Sequence, residues 1–122
     1  MSAKTSLTKK DEAIIDHLVA AGIPKNMAKT LAVLSDGDEI ISVKIEGITA
    51  LRQPEVSIVM QDLRDRKWVK KRDLKKEGKG RPVHAYKLAM PFTRIVEIIE
   101  KDERKKIRDI EANITSLKKL VR

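Results

Sequence analysis

The chain has 122 residues, a formal net charge of +9, 41% apolar residues and a single Phe, Trp and Tyr, so Ile, Leu and Val must fill most of one small core. It holds no cysteine, which excludes a disulfide framework, a thiol nucleophile and a cysteine-based zinc site. No apolar run approaches membrane-spanning length and the opening residues lack the apolar core of a signal peptide, so a cytoplasmic protein without a membrane partner is expected.

Thr8 is placed to cap a first helix, with Asp11 in its opening turn and Ile14, Ile15, Leu18 and Val19 on one face. His17 falls on this helix beside the expected core. Gly22 ends it in a left-handed position, and Pro24 opens a second helix whose apolar face is Met27, Ala28, Leu31 and Leu34. Asp36-Gly37 stops that helix, and Glu39-Ile40-Ile41 reads as a very short strand. Ser42 is a good cap for a short third helix containing Val43, Ile45 and Ile48, which Gly47 weakens.

Pro54 can open a fourth helix at its first position, where the missing N–H has no partner anyway. From there to Arg66, Val56, Val59, Met60 and Leu63 recur at helical spacing, leaving Gln53, Glu55, Ser57, Ile58 and Gln61 on the other side. Two strands follow, from Trp68 to Leu74 and from Val83 to Leu88, around the polar loop Lys75–Pro82 with its two glycines and a proline. Trp68 is expected to anchor the base of this hairpin in the core. Between Arg66 and Arg81 nine basic residues face only Asp73 and Glu77. Positive charge concentrated on strands favours a polyanion over a membrane surface.

After Pro91 a helical pattern runs from about Phe92 to the end. Ile95, Val96 and Ile99 form one apolar patch; Ile107, Ile110, Ile114, Leu117 and Val121 form another with alternating three- and four-residue spacing, a seam of about two heptads. Glu100 to Lys106 between them is wholly charged. Glu97/Lys101, Glu100/Arg104 and Asp102/Lys106 lie four apart with the acid first, the favourable order. A helix of about 30 residues spans roughly 45 Å, more than so small a domain covers, so it calls for a partner and a second copy is the simplest.

The segment from about Ile23 to Leu88 resembles the winged helix-turn-helix domains of archaeal transcriptional regulators of the TrmB, MarR and ArsR type. Thr49-Ala-Leu-Arg-Gln-Pro-Glu-Val-Ser57 is similar to that family's turn and recognition-helix start, commonly Thr-Gly-Leu-Ser-Gln-Pro-Thr-Val-Ser. Leu63-Arg-Asp-Arg-Lys-Trp-Val69 looks like the Leu-x-x-x-Gly-Leu-Val that enters the wing, and Lys79-Gly-Arg-Pro82 with Tyr86-Lys-Leu88 resembles the wing tip and return strand. The match covers a little over half the chain. Departures are Ala50 where Gly is usual, which predicts a tighter or more helical turn, Glu55 where Thr is common, and Ile58 where Arg is common. The fold class expected is mainly α with a small β-hairpin. Its parts are an N-terminal helix (1–22), a winged helix (23–90) and a C-terminal coiled-coil helix (91–122).

The resemblance and the charge pattern together imply sequence-specific binding of double-stranded DNA by a homodimeric transcriptional regulator. The helix 54–66 would lie in the major groove, and the wing 75–82 on the backbone or in the minor groove. Gln53, Ser57 and Gln61 are candidates for base edges, Gln suiting adenine. Glu55 either accepts from cytosine or complements the helix dipole; Ile58 either meets a thymine methyl or packs inside. Lys79 and Arg81 are the wing-tip candidates. Arg52, Pro54, Arg64, Lys70, Arg72, Lys75 and Lys76 complete the expected interface, mostly through phosphate. Ile95, Val96, Ile99, Ile107, Ile110, Ile114, Leu117 and Val121 are the expected dimerisation residues.

No cofactor or metal is implied, since His17 and His84 are isolated, and no constellation supports catalysis. Three acids (Glu55, Asp62, Asp65) against two bases (Arg64, Arg66) leave the fourth helix little attraction for phosphate. That keeps two rivals open: a protein-interaction module of a transcription or replication assembly, and a nonspecific architectural DNA binder.

Overall fold

The computed structural model describes residues 4–74 and 83–122. The described residues form five helices and three strands: α1 (Lys9–Ala20), α2 (Lys25–Leu34), β1 (Ile40–Ile41), α3 (Ser42–Thr49), α4 (Gln53–Asp65), β2 (Val69–Leu74), β3 (Val83–Leu88) and α5 (Phe92–Leu120). The chain divides after Phe92 into two compact units.

In the first unit each boundary has a local cause. Thr8 Oγ1 accepts from the Asp11 N–H at 3.1 Å while Asp11 Oδ2 accepts from the Thr8 N–H at 3.0 Å, a reciprocal cap on α1. Gly22, at φ +96°, closes the other end, where the Ile23 N–H donates to the Leu18 carbonyl at 3.0 Å. Val19 and His17 are exposed, against expectation. The inward row of α1 is Asp11, Ile15 and Leu18, and a residue one step beyond Leu18 turns about 100° away from it. Asp11 holds an inward place because Lys4 meets it there, at 3.2 Å.

Helix α2 is the centre of the unit. Met27, Ala28, Leu31 and Leu34 are buried as the periodicity predicts, and Thr30, Ala32 and Val33 are buried too, so almost no side of its second half faces water. Such a helix is surrounded, here by α1, α3, α4 and β3. Burial of a Leu or Ile side chain stabilises by about 1.5–3 kcal/mol, which makes Leu31, Leu34, Ile45 and Leu63 principal contributors.

The hairpin gains a third strand. The sheet runs β1-β3-β2, all antiparallel, with Ile40 opposite Tyr86 and Val69 opposite Leu88. Pairing of β1 with β3 fixes the point at which α3 begins. That helix starts at Ser42 itself with Ile41 in the cap position, so Ser42 is not the cap; its hydroxyl lies 3.4 Å from Glu46 instead. Only Ile45 and Thr49 of α3 are buried, and Val43 points outward. Trp68 is buried at the root of β2, its N–H donating to the Leu63 carbonyl at 3.0 Å.

In the second unit α5 carries 29 residues, about 44 Å of helix. Ile95 and Ile99 are buried in the single chain, whereas Ile107, Ile110, Ile114, Leu117 and Val121 are all exposed. The ion pairs along it differ from the expected set: Glu100–Arg104 forms, at 2.9 Å, but Glu97 meets Arg94 and Lys106 meets Glu103, each three residues away. Spacings of three and four both bring side chains together on a helix, so an acid four residues off competes with one three residues off.

Candidate nucleic-acid interface

The turn between α3 and α4 is built by Thr49. Its hydroxyl donates to the Ile45 carbonyl at 2.7 Å and lies 3.3 Å from the Leu51 N–H, which it accepts. Ala50 then adopts φ +60°, ψ +23°, so the turn is left-handed, not tighter or more helical as Ala in place of Gly suggested. Leu51 is buried and Arg52 stands at the cap of α4. Helix α4 spans Gln53–Asp65, one residue earlier at each end than its sequence pattern indicates, and Pro54 takes the second helical position. Proline is tolerated there for the same reason as at the first, because the early N–H groups have no acceptor.

Glu55 explains its own departure from Thr. One carboxylate oxygen accepts the Arg52 N–H at 3.0 Å and the other lies 3.4 Å from Asn26 Nδ2 at the start of α2. The acid both satisfies an orphan donor and complements the positive end of the helix dipole.

The outward face of α4 displays Gln53, Ser57, Ile58 and Gln61, all exposed, while Val56, Val59, Met60 and Leu63 face the core. Ile58 is 71% exposed, which decides between its two sequence readings: it does not pack inside. The polar members are already linked along the helix. Gln53 Nε2 donates to Ser57 Oγ at 3.0 Å, and Gln61 Nε2 donates to Asp65 Oδ1 at 3.0 Å. Asp62 is taken by Arg66 Nε at 2.8 Å, and the Arg66 guanidinium lies 5.0 Å from the centre of the Trp68 ring. Arg52 and Arg64 are exposed beside this face.

The helix closes through Lys67, at φ +67°, with the Lys67 N–H on the Arg64 carbonyl and the Trp68 N–H on that of Leu63, both at 3.0 Å. Lys67 therefore stands, left-handed, where the family pattern has Gly. It is the second such site beside Ala50, and the Gly-to-Lys change in the motif was the signal for it.

On the strands the basic residues are not equivalent. Lys70 is exposed, and Lys71 lies 3.6 Å from Asp73. Arg72 is held by Glu39 through two hydrogen bonds, Nη2 to Oε1 at 2.6 Å and Nε to Oε2 at 3.1 Å. That fork holds the Glu39 carboxyl below its ordinary range and raises the Arg72 guanidinium further. Asp73 in turn accepts from His84 Nδ1 at 2.7 Å, the main reason its carboxyl is also lowered. Two carboxylates thus offset part of the wing's charge. Sequence reading missed the Glu39–Arg72 pair because 33 residues separate the partners and only the β1-β3-β2 order brings them together. Lys75, Lys76, Lys79 and Arg81, the wing-loop candidates, lie outside the described residues.

Among the described residues no group of acids and histidines is placed to hold a metal ion, and no helix is long and apolar enough to cross a membrane. A helix-turn-helix followed by an antiparallel hairpin defines a winged helix. Comparison with solved structures gives the same answer. The crystal structure of NadR in complex with 4-hydroxyphenylacetate matches with a TM-score of 0.52 and 18% identity, over 99% of this chain and 89% of that one. A MarR-family transcriptional regulator from Silicibacter pomeroyi matches with a TM-score of 0.50 and 17% identity, over 91% of this chain and 80% of that one. No family model and no curated protein matches the sequence. At these identities the likeness is one of fold, a winged helix.

Proposed function

We propose that this protein is a transcriptional regulator that binds double-stranded DNA as a homodimer. The observation that carries this reading is the outward face of α4, where Gln53, Ser57, Ile58 and Gln61 are all exposed on a helix whose other side is buried and whose end runs straight into a basic hairpin. Helix α4 enters the major groove, with the two Gln side chains on adenine edges and Ile58 against a thymine methyl. Reading a base requires Gln61 to leave Asp65, an exchange of one hydrogen bond for another. Affinity comes from Lys70 and the wing, since the acids of α4 cancel its own bases.

The test is selection of bound sequences from a random duplex pool, followed by Ser57→Ala and Gln61→Ala. A recovered two-fold motif that relaxes at defined positions in these variants supports the reading, each lost base contact costing about 1–3 kcal/mol of discrimination. Binding without any sequence preference contradicts it and favours an architectural role.

A second reading, a winged helix that docks on protein, draws on Val43 and Ile58, both 71% exposed, together with the acids of α4. Its mark is unchanged DNA binding in Ile58→Asp alongside loss of a protein partner.

A further inference from the structure

DNA binding through the hairpin leaves open which of its two sides turns to the duplex, and the strand register separates those sides by charge. We infer that the side carrying Lys70, Arg72 and Lys87 meets the DNA backbone, with the Lys70 and Lys87 ammonium groups closing together on a single phosphate. The inference rests on the DNA-binding reading and deepens it. It assigns the contacting side of the hairpin and adds Lys87, which lies beyond the basic stretch between Arg66 and Arg81.

Side chains alternate along a strand, so the register sorts them. Val69 stands opposite Leu88, Lys71 opposite Tyr86 and Asp73 opposite His84. Val69, Tyr86 and Leu88 are buried, which makes this the core side. On the other side Lys70 stands opposite Lys87, and Arg72 opposite Ala85. Lys70, Arg72 and Lys87 are all exposed there.

The two sides balance their charges differently. On the core side Asp73 lies 3.6 Å from Lys71 Nζ and accepts from His84 Nδ1 at 2.7 Å, so its carboxylate offsets the cation beside it. On the other side three cations share one carboxylate, Glu39, and Arg72 takes both of its oxygens, at 2.6 and 3.1 Å. The Glu39 carboxyl is lowered first by those hydrogen bonds and to a lesser degree by the charge of Lys87. Among the described residues no carboxylate lies within ion-pair distance of Lys70 or Lys87.

Like charges directly opposite each other on neighbouring strands destabilise a sheet, so within one chain the Lys70–Lys87 pair is a cost. A phosphate between the two ammonium groups reverses its sign. Opposed residues have their Cβ atoms about 5 Å apart, and the flexible lysine stems let both donors reach one phosphate, whose oxygens accept from each.

Duplex affinity as a function of salt, read together with the urea midpoint of the full-length protein, tests this. Lys87→Gln should weaken duplex binding about threefold to tenfold, alike for every sequence, while the urea midpoint holds or rises because the repulsion is gone. Lys87→Arg should keep the parental affinity, and Lys71→Gln, on the core side, should leave it unchanged. In the double variant Lys70→Gln, Lys87→Gln the slope of log affinity against log salt should shrink by about 0.9 per protomer, the loss of one phosphate and not of two. A double variant with the parental slope, or one that loses two phosphates per protomer, overturns the shared contact. Binding weakened in Lys71→Gln and kept in Lys87→Gln places the backbone on the opposite side and overturns it too. A lower urea midpoint in Lys87→Gln shows that the pair supports the sheet and overturns the inference drawn from its repulsion. In all of these outcomes the parent protein still binds duplex DNA, whereas a parent that binds no duplex overturns the DNA reading itself.

Discussion

At the scale of single residues, two positions store strain. Ala50 and Lys67 are the non-glycine residues with positive φ among those described, and both stand where the family pattern has Gly. A left-handed backbone costs an L-residue about 1–2 kcal/mol, part of which glycine gives back through its looser unfolded state. Ala50→Gly should therefore raise stability by about 1 kcal/mol, read as a higher midpoint in urea at unchanged slope. Lys67→Gly should do the same and also lower DNA affinity, because it removes an exposed cation at the root of the wing. A loss of stability in Ala50→Gly would show that this turn is unstrained.

Asp11 illustrates a different residue-scale effect. Burial alone would raise its carboxyl, but the Thr8 N–H and the Lys4 ammonium outweigh burial and hold it below the ordinary value. A carboxyl lower in the folded than in the unfolded state binds its proton later on acidification. Its contribution is thus complete above the unfolded value and disappears as pH falls through the folded one, a window below about pH 4. Lys4 extends the same network to Asp36 at 3.2 Å and to the Ala32 and Val33 carbonyls at the end of α2, with only 6% of its side chain exposed. Asp11→Asn should flatten the acid limb of the stability profile below about pH 4, measured by denaturation at each pH.

At the scale of elements, Glu39 on the approach to β1 controls a cation on β2. If the bidentate pair keeps Arg72 away from phosphate, Glu39→Gln frees it, tightens DNA binding and steepens the logarithmic salt dependence by about one unit. Arg72→Ala should change that slope much less than Lys70→Ala, because Lys70 has no such competitor among the described contacts. Equal effects of the two alanine variants would mean that the pair opens on DNA. Elements were legible in the sequence wherever a local signal existed. Thr8, Gly22, Pro24 and the periodicity of Val56 to Leu63 place α1, α2 and α4 within a residue or so. What escaped was set by distant contacts. Val19 and Ile58 carry apolar side chains whose exposure depends on what packs beside their helices, and Glu39 and Arg72 meet only through the strand order. The outward face of α4 was legible as a pattern, but its internal Gln53–Ser57 and Gln61–Asp65 links were not, since each donor had several acceptors within reach.

At the scale of the whole molecule, the two halves of the proposed function are coupled through Ile114. This residue lies mid-seam on α5, exposed in the single chain, so Ile114→Asp should leave the thermal transition of the winged helix within about 0.5 kcal/mol of the parent. In a dimer sealed through this row the same change would bury one carboxylate of each chain in an apolar layer, an arrangement that burial does not tolerate. Ile114→Asp should thus sediment as a monomer. If six to eight phosphates are neutralised by the dimer, the slope of log affinity against log salt is about −5 to −7, and a monomer on one half-site keeps about half of it. Affinity for a two-fold site should fall steeply while affinity for an isolated half-site barely changes, because α4 and the wing are untouched. A variant that is monomeric yet keeps the parental slope would place all of the DNA contacts on one protomer. A variant that stays dimeric would move the interface away from α5.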